Sequence, residues 1–235
     1  MARLTRHQLK KDEFSDRMAT VMDFFVARRK KLTTVGLAVV VAAALAAGAT
    51  LYVRSQQAQA ATAFSAALNT YHALVMDSPP PTGLVSFKTS AEKFQKAYEE
   101  FSAAASDYSH YRTGQMSRYY AALCQRELGK LPEAEQELQA VAQDSDTELA
   151  SLANMALAGV YAQTGRIEEA EKIYRQLQDH PTPAVSKTEA QFALANLLAK
   201  TKPAEAAALY QQIRQDNAGT EAADYASQKL QDLPH

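Results

Sequence analysis

YYAALCQRELGKLPEAEQELQAV, residues 119–141, is built like two later stretches of the chain, MALAGVYAQTGRIEEAEKIYRQL at 155–177 and QFALANLLAKTKPAEAAALYQQI at 191–213. A small residue recurs every 36 positions at Ala134, Ala170 and Ala206. A large one follows at Leu138, Tyr174 and Tyr210, and an aliphatic one at Val141, Leu177 and Ile213. Offsets of four and seven residues keep each triplet on one helix face. Two antiparallel helices joined by a tight turn need a small residue where they approach closely. They need a large one a turn later to fill the gap to the next pair. Gly129 and Gly165 stand where a left-handed residue stops the first helix, and Thr201 holds that place in the third segment. Pro132 and Pro203 suit the opening of the second helix. The prediction is a series of helix pairs, with regular units over about 115–144, 151–180 and 187–216.

Working outward, Ser145-x-x-Glu148 and Ser186-x-x-Glu189 read as capping boxes opening the next first helices, and His180-Pro181-Thr182-Pro183 as the break before the last of them. A less regular unit comes earlier. A helix over 86–107 carries Ala97, Phe101 and Ala104 in the same small–large–medium order, with Thr89 either capping it or lying in its first turn. Its mate is a helix over 55–76 with Phe64, Leu68, Tyr71 and Val75 inward, joined through the loop Asp77-Ser78-Pro79-Pro80-Pro81-Thr82-Gly83. A last helix, about 220–232, offers Ala222, Tyr225, Ala226 and Leu230 inward and caps the open end of the stack.

These residues resemble the tetratricopeptide repeat, whose pattern places small residues and a bulky aromatic at such offsets with a Gly at the turn. The match is close over about 115–215 and loose over 58–114; the 36-residue spacing is two more than usual and implies longer inter-repeat loops. The expected fold is all-α: an N-terminal transmembrane helix, an antiparallel helix-pair solenoid and a C-terminal capping helix.

The anchor is legible as an uncharged run. Leu32–Val53 is 22 residues without a charge, about 33 Å as a helix against a hydrocarbon core of roughly 30 Å. The net charge of −1 hides an asymmetry: residues 1–31 carry nine Lys/Arg against four acids, and residues 54–235 carry 16 against 22. Arg28-Arg29-Lys30-Lys31 precede the run and Arg54 alone follows closely, so the positive-inside rule places 1–31 in the cytoplasm and 54–235 across a bacterial inner membrane, in the periplasm. Three segments follow: 1–31 with a short amphipathic helix, 32–53 spanning lipid, and 54–235 as the repeat domain. A cleaved leader ending near Ala58-Gln59-Ala60 is the competing reading, against which stands an apolar region well beyond the usual 7–15 residues. Phe14, Met18, Val21, Met22 and Phe25 form one stripe ahead of the span, suited to lipid or to a cytoplasmic protein segment.

A narrower likeness rests on Asp23-Phe24-Phe25 and Lys31-Leu32 before the span, then Tyr52, Gln57, Ala61, Phe64, Leu68 and Tyr71 after it. This layout resembles the inner-membrane tetratricopeptide proteins typified by the ancillary subunit of the Sec translocon. The resemblance implies periplasmic repeats held beside the Sec channel, engaging exported proteins and periplasmic chaperones.

No catalytic constellation is legible. His7, His72, His110, His180 and His235 are scattered, no Cys cluster exists, and phosphate-loop, dinucleotide and nucleophile-elbow patterns are missing. Asp144 and Asp146 read as helix caps, Cys124 as a small buried hydrophobe, and Glu133, Glu135 and Glu137 as a solvated face. The acidic repeat domain argues against nucleic acid. No enzyme activity, cofactor, metal or small-molecule substrate is expected. The chemistry points to a protein-binding groove. Concave first-helix positions hold Met116, Tyr119, Leu123 and Arg126, then Leu152, Met155, Gly159 and Ala162, then Thr188, Gln191, Ala195 and Leu198. Met and Tyr repack on different partners, which suits extended or helical apolar segments. Partial filling of this groove by the last helix or by residues 55–76 is the alternative. The function expected is a membrane-anchored scaffold or chaperone-like adaptor; the alternative is a dedicated assembly or structural subunit of one inner-membrane complex.

Overall fold

The computed structural model of the chain describes residues 6–77 and 85–233. The chain divides into two compact units, Met1–Gln56 and Gln57–His235. Helix α1, Arg6–Tyr71, contributes to both. In the first unit, Val35, Leu37, Val39, Val40, Val41, Leu45 and Leu51 are exposed. From Thr33 this helix is long and apolar enough to cross a membrane. Its hydroxyls turn back on the helix: Thr34 Oγ1 donates to the Lys30 carbonyl at 3.0 Å and Thr50 Oγ1 to the Ala47 carbonyl at 2.8 Å. Of the expected N-terminal stripe, the side chains of Phe14, Val21 and Phe25 lie outside the described residues, and Met18 and Met22 are exposed.

The second unit is a stack of helices. Residues 57–71 of α1 pack with α2 (Ser90–Asp107) and α3 (Arg112–Glu127) around Ala67, Ala97, Phe101, Ala121 and Cys124. The pairs α3/α4 (Leu131–Val141), α5 (Thr147–Gln163)/α6 (Ile167–Asp179) and α7 (Lys187–Leu198)/α8 (Pro203–Asp216) follow, and α9 (Glu221–Gln231) closes the series. Every member of the four small–large–medium triplets is buried: Ala97, Phe101, Ala104; Ala134, Leu138, Val141; Ala170, Tyr174, Leu177; Ala206, Tyr210, Ile213. Gly129 and Gly165 adopt φ of 76° and 79° at the turns between paired helices, a conformation that costs glycine nothing. Pro132 and Pro203 sit in the first turns of α4 and α8. Ser186 and Glu189 close a reciprocal capping box on α7.

Several local expectations are corrected. The helix leaving the first unit ends at Tyr71, not 76, because Leu74–Val75 (β1) pairs in parallel with Ser86–Phe87 (β2), extended by Met76 N–H donating to the Phe87 carbonyl at 2.9 Å. Val75 is therefore exposed rather than inward, and α2 starts at Ser90 with Thr89 as its cap. Of the connecting loop, Ser78–Gly83 lies outside the described residues. Asp146, not Ser145, caps α5, accepting from the backbone N–H groups of Glu148 and Leu149 at 3.1 and 3.2 Å. Asp144 braces that cap by accepting the Asp146 N–H. In α9, Ala223 and Ala226 are the buried residues; Tyr225 is exposed, its ring 5.3 Å from that of Phe192.

The expected solvated glutamates are also corrected: Glu135 and Glu137 are paired. Arg166 grips Glu135 with two guanidinium nitrogens, and Arg118 pairs with Glu137. One repeat later Glu171 accepts Lys202 Nζ at 2.8 Å, while Arg175 reaches both Glu171 and Glu205. The carboxylate on one second helix thus holds the cation that opens the next. Hydrogen bonds from Arg166 hold the Glu135 carboxyl below its ordinary range, and those from Lys202 and Arg175 do the same for Glu171. A carboxyl depressed by folding contributes stability that is complete above its unfolded value, near 4.3, and vanishes as pH falls through the folded value. Thermal midpoints are accordingly expected to hold steady above about pH 6 and to drop below about pH 5. Melts followed by circular dichroism check this, with Glu171→Gln giving the shallower decline.

Candidate protein-binding groove

The first helices α3, α5 and α7 present equivalent positions 36 residues apart. Met116, Tyr119, Arg126, Leu152 and Met155 are half-buried and reachable. Gly159, Ala162 and Thr188 are likewise partly exposed. Leu123 is nearly covered, and Gln191, Ala195 and Leu198 are buried. The α7 row is drawn into the core cluster formed with Tyr210, Ile213 and Ala226. The accessible apolar strip therefore lies toward α3 and α5.

Tyr119 stands edge-on to Tyr120, with ring centroids 5.4 Å apart. Burial pushes its phenol up to about 12, so it stays protonated and keeps a donor for a partner carbonyl. Arg126 carries the charge at the end of the strip and leans on Glu127 at 2.8 Å. A cleft of about 230 Å³ between α1 and α3, bounded by Ala61, Phe64, Thr113 and Met116, continues the strip past the expected positions. Phe64, expected to face inward on its helical spacing, does pack on the cluster of Ala67 and Phe101 and borders this cleft as well. Gln191, expected in the groove, is fully enclosed, with Nε2 lacking a hydrogen-bond partner.

Asp144 and Asp146 form a cap rather than an acid/base pair, and the Arg112 hydrogen bond holds the Asp146 carboxyl below its usual range. Cys124 is buried, which pushes its thiol up to about 12 and leaves little thiolate at neutral pH. Among the described residues no group of three His, Cys, Asp or Glu is placed to hold a metal ion.

A stack of packed antiparallel helix pairs defines a helical repeat solenoid. The chain belongs to the tetratricopeptide repeat-like domain family, whose pattern matches residues 28–235. That family is typically non-catalytic, and its fold serves protein–protein interaction. No curated protein and no solved structure matches the chain.

Proposed function

We propose that this protein is a membrane-anchored interaction scaffold of the bacterial inner membrane, with residues 1–31 cytoplasmic, 32–53 spanning lipid and 54–235 in the periplasm. The observation that carries the reading is the joining of a long, fully exposed apolar helix to a repeat unit within one family match that begins at residue 28, ahead of the apolar run. The internally satisfied hydroxyls of Thr34 and Thr50 suit lipid, where an unsatisfied polar group is costly. The cationic flank before the span supports the orientation.

In this reading the strip of Met116, Tyr119, Arg126, Leu152 and Met155 receives apolar segments of exported proteins. The anchor holds it beside the Sec translocon, with periplasmic chaperones as further partners. Short tethering raises effective concentration for clients near the membrane. Crosslinking in living cells, gentle solubilisation and mass spectrometry of what co-purifies test the role. Channel subunits with many exported proteins support it, and their absence removes it. An intact mass showing cleavage after Ala60 removes the anchor.

The shortness of the accessible strip favours a second reading, a dedicated subunit holding one fixed partner in one inner-membrane complex. A single stoichiometric complex in the same experiment selects it. In either case Met155→Glu is expected to weaken partner binding about tenfold or more, since a charge must then be desolvated against an apolar segment. Tyr119→Glu is expected to act in the same direction. Unchanged binding by folded variants removes the strip from the site.

A further inference from the structure

The junction between α2 and α4 is built differently from the one between α4 and α6. Aligned on the small–large–medium triplets, Tyr98 stands where α4 carries Glu135, and Ser102 where it carries Gln139. On the first helices, Gln125 of α3 stands where α5 carries Tyr161. Gln139 and Tyr161 close the gap between α4 and α6, Gln139 Nε2 donating to Tyr161 Oη at 3.1 Å. Arg166, gripping Glu135, clamps the same junction. Between α2 and α4 neither link forms. Lys130, in the place of Arg166, lies over the Tyr98 ring at 6.0 Å, and Ser102 does not reach the Gln125 oxygen.

What remains is a cleft of about 320 Å³ with Tyr98 and Ser102 on one wall, Arg118 and Gln125 of α3 below and Glu137 of α4 opposite. Helical spacing puts it across α3 from Met116, Tyr119 and Leu123, away from the apolar strip. Gln125 is 7% exposed, and its Oε1 has no hydrogen-bond partner. A buried acceptor left unpaired is rare and costly. Arg118 and Glu137 pair with each other, so the cleft offers hydrogen bonds without net charge. Past Ser109 and Gln115 it continues into a second cleft of about 320 Å³, bordered by His110, Arg112 and Asp146. From Gln125 to Arg112, α3 runs about 20 Å, the length of about six extended residues.

We propose that this groove binds an extended, uncharged segment of a partner protein, and that an Asn or Gln side chain of that segment enters the cleft over Gln125. The chain itself supplies the precedent, because the carboxamide of Gln139 fills the equivalent space one repeat later. A carboxamide donates to Gln125 Oε1 and accepts from the Ser102 or Tyr98 hydroxyl. An apolar side chain leaves the acceptor unpaired, and a carboxylate adds another acceptor beside it. The length of the groove suits a polypeptide rather than a small free amide.

The test pans phage-displayed random hexapeptides against the full chain in lipid nanodiscs. Enriched sequences are expected to be uncharged and polar, with Asn or Gln at one fixed position. Synthetic peptides of those sequences, followed by fluorescence polarisation, should bind at least about tenfold more weakly once that residue is replaced by Leu. Ser102→Gln puts the chain's own carboxamide into the cleft. It is expected to weaken the peptides at least about tenfold and to raise the melting midpoint of the free chain by about 2–4 °C. Ser102 is partly exposed, so circular dichroism should show the variant as helical as the parent. Gln125→Met, which removes the acceptor at similar volume, should weaken the peptides as much. Failure to enrich such sequences overturns the proposal, and so does binding that survives both variants. Peptides released by Met155→Glu instead sit in the apolar strip, and their selection alone overturns it too.

Discussion

Replacing Phe101 by Ala is expected to cost about 3–5 kcal/mol of folding free energy, the range for removing a fully buried aromatic side chain. Phe101 is 0% exposed and stands at the meeting point of three helices. Its ring stacks on Tyr120 of α3 with centroids 5.2 Å apart, and lies 5.7 Å from Phe64 and 6.3 Å from Tyr71, both of α1. Truncation removes the transfer energy of the ring and opens a cavity that the surrounding aromatics fill only in part. Repeats are coupled mainly to their nearest neighbours. The damage should therefore concentrate where α1, α2 and α3 meet, giving a denaturant transition with an early phase. The chain has no Trp, so the helical circular dichroism signal is the measure. A shift smaller than about 1 kcal/mol would mean that this end of the stack is loosely packed.

The regular units could be read directly because their pattern is local. Ala134, Leu138 and Val141 announce their burial by spacing alone, and the same triplet recurs until coincidence is excluded. What escaped the sequence depends on contacts across repeats. Asp146 does read as a cap in the sequence, but its precedence over the Ser145 box does not, because it comes from Asp144 bracing it and from Arg112, 34 residues away, pairing with it. Glu135 and Glu137 looked solvated because their cations, Arg166 and Arg118, lie 31 residues downstream and 19 upstream. The ladder of β1 and β2 is two residues long on each side, too short for alternation to register. In the groove, Leu198 and Gln191 carried the right repeat positions, yet the closing helices bury them. Repeat register predicts which face a residue occupies, and only the end of the stack decides whether that face stays open.

Gly114→Ala is the second substitution expected to be severe, although alanine is the better helix former by about 1 kcal/mol. Gly114 lies in the first turn of α3, where its N–H donates to the Tyr111 carbonyl at 2.9 Å. The connection from α2 to α3 is four residues, against five and seven at the next two junctions. That economy presses the end of α2 against the first turn of α3. A Cβ at Gly114 would collide with the carbonyl oxygen and carbon of Tyr108, with Ser109 N at 3.1 Å behind them. All three are backbone atoms. Relief therefore requires moving one helix against the other, at about 2–4 kcal/mol net, above the usual overpacking cost because no side chain can rotate away. Ala150 and Ser186 hold the equivalent position in the later repeats, where longer loops leave room. Gly159 supplies the control. A Cβ there meets only Tyr174 Oη at 3.9 Å, so Gly159→Ala should raise stability by about 0.5–1 kcal/mol through helix propensity. Two identical substitutions in one solenoid, opposite in sign, would establish that the crossing of α2 and α3, rather than helix propensity, governs the first junction; equal effects would overturn that account.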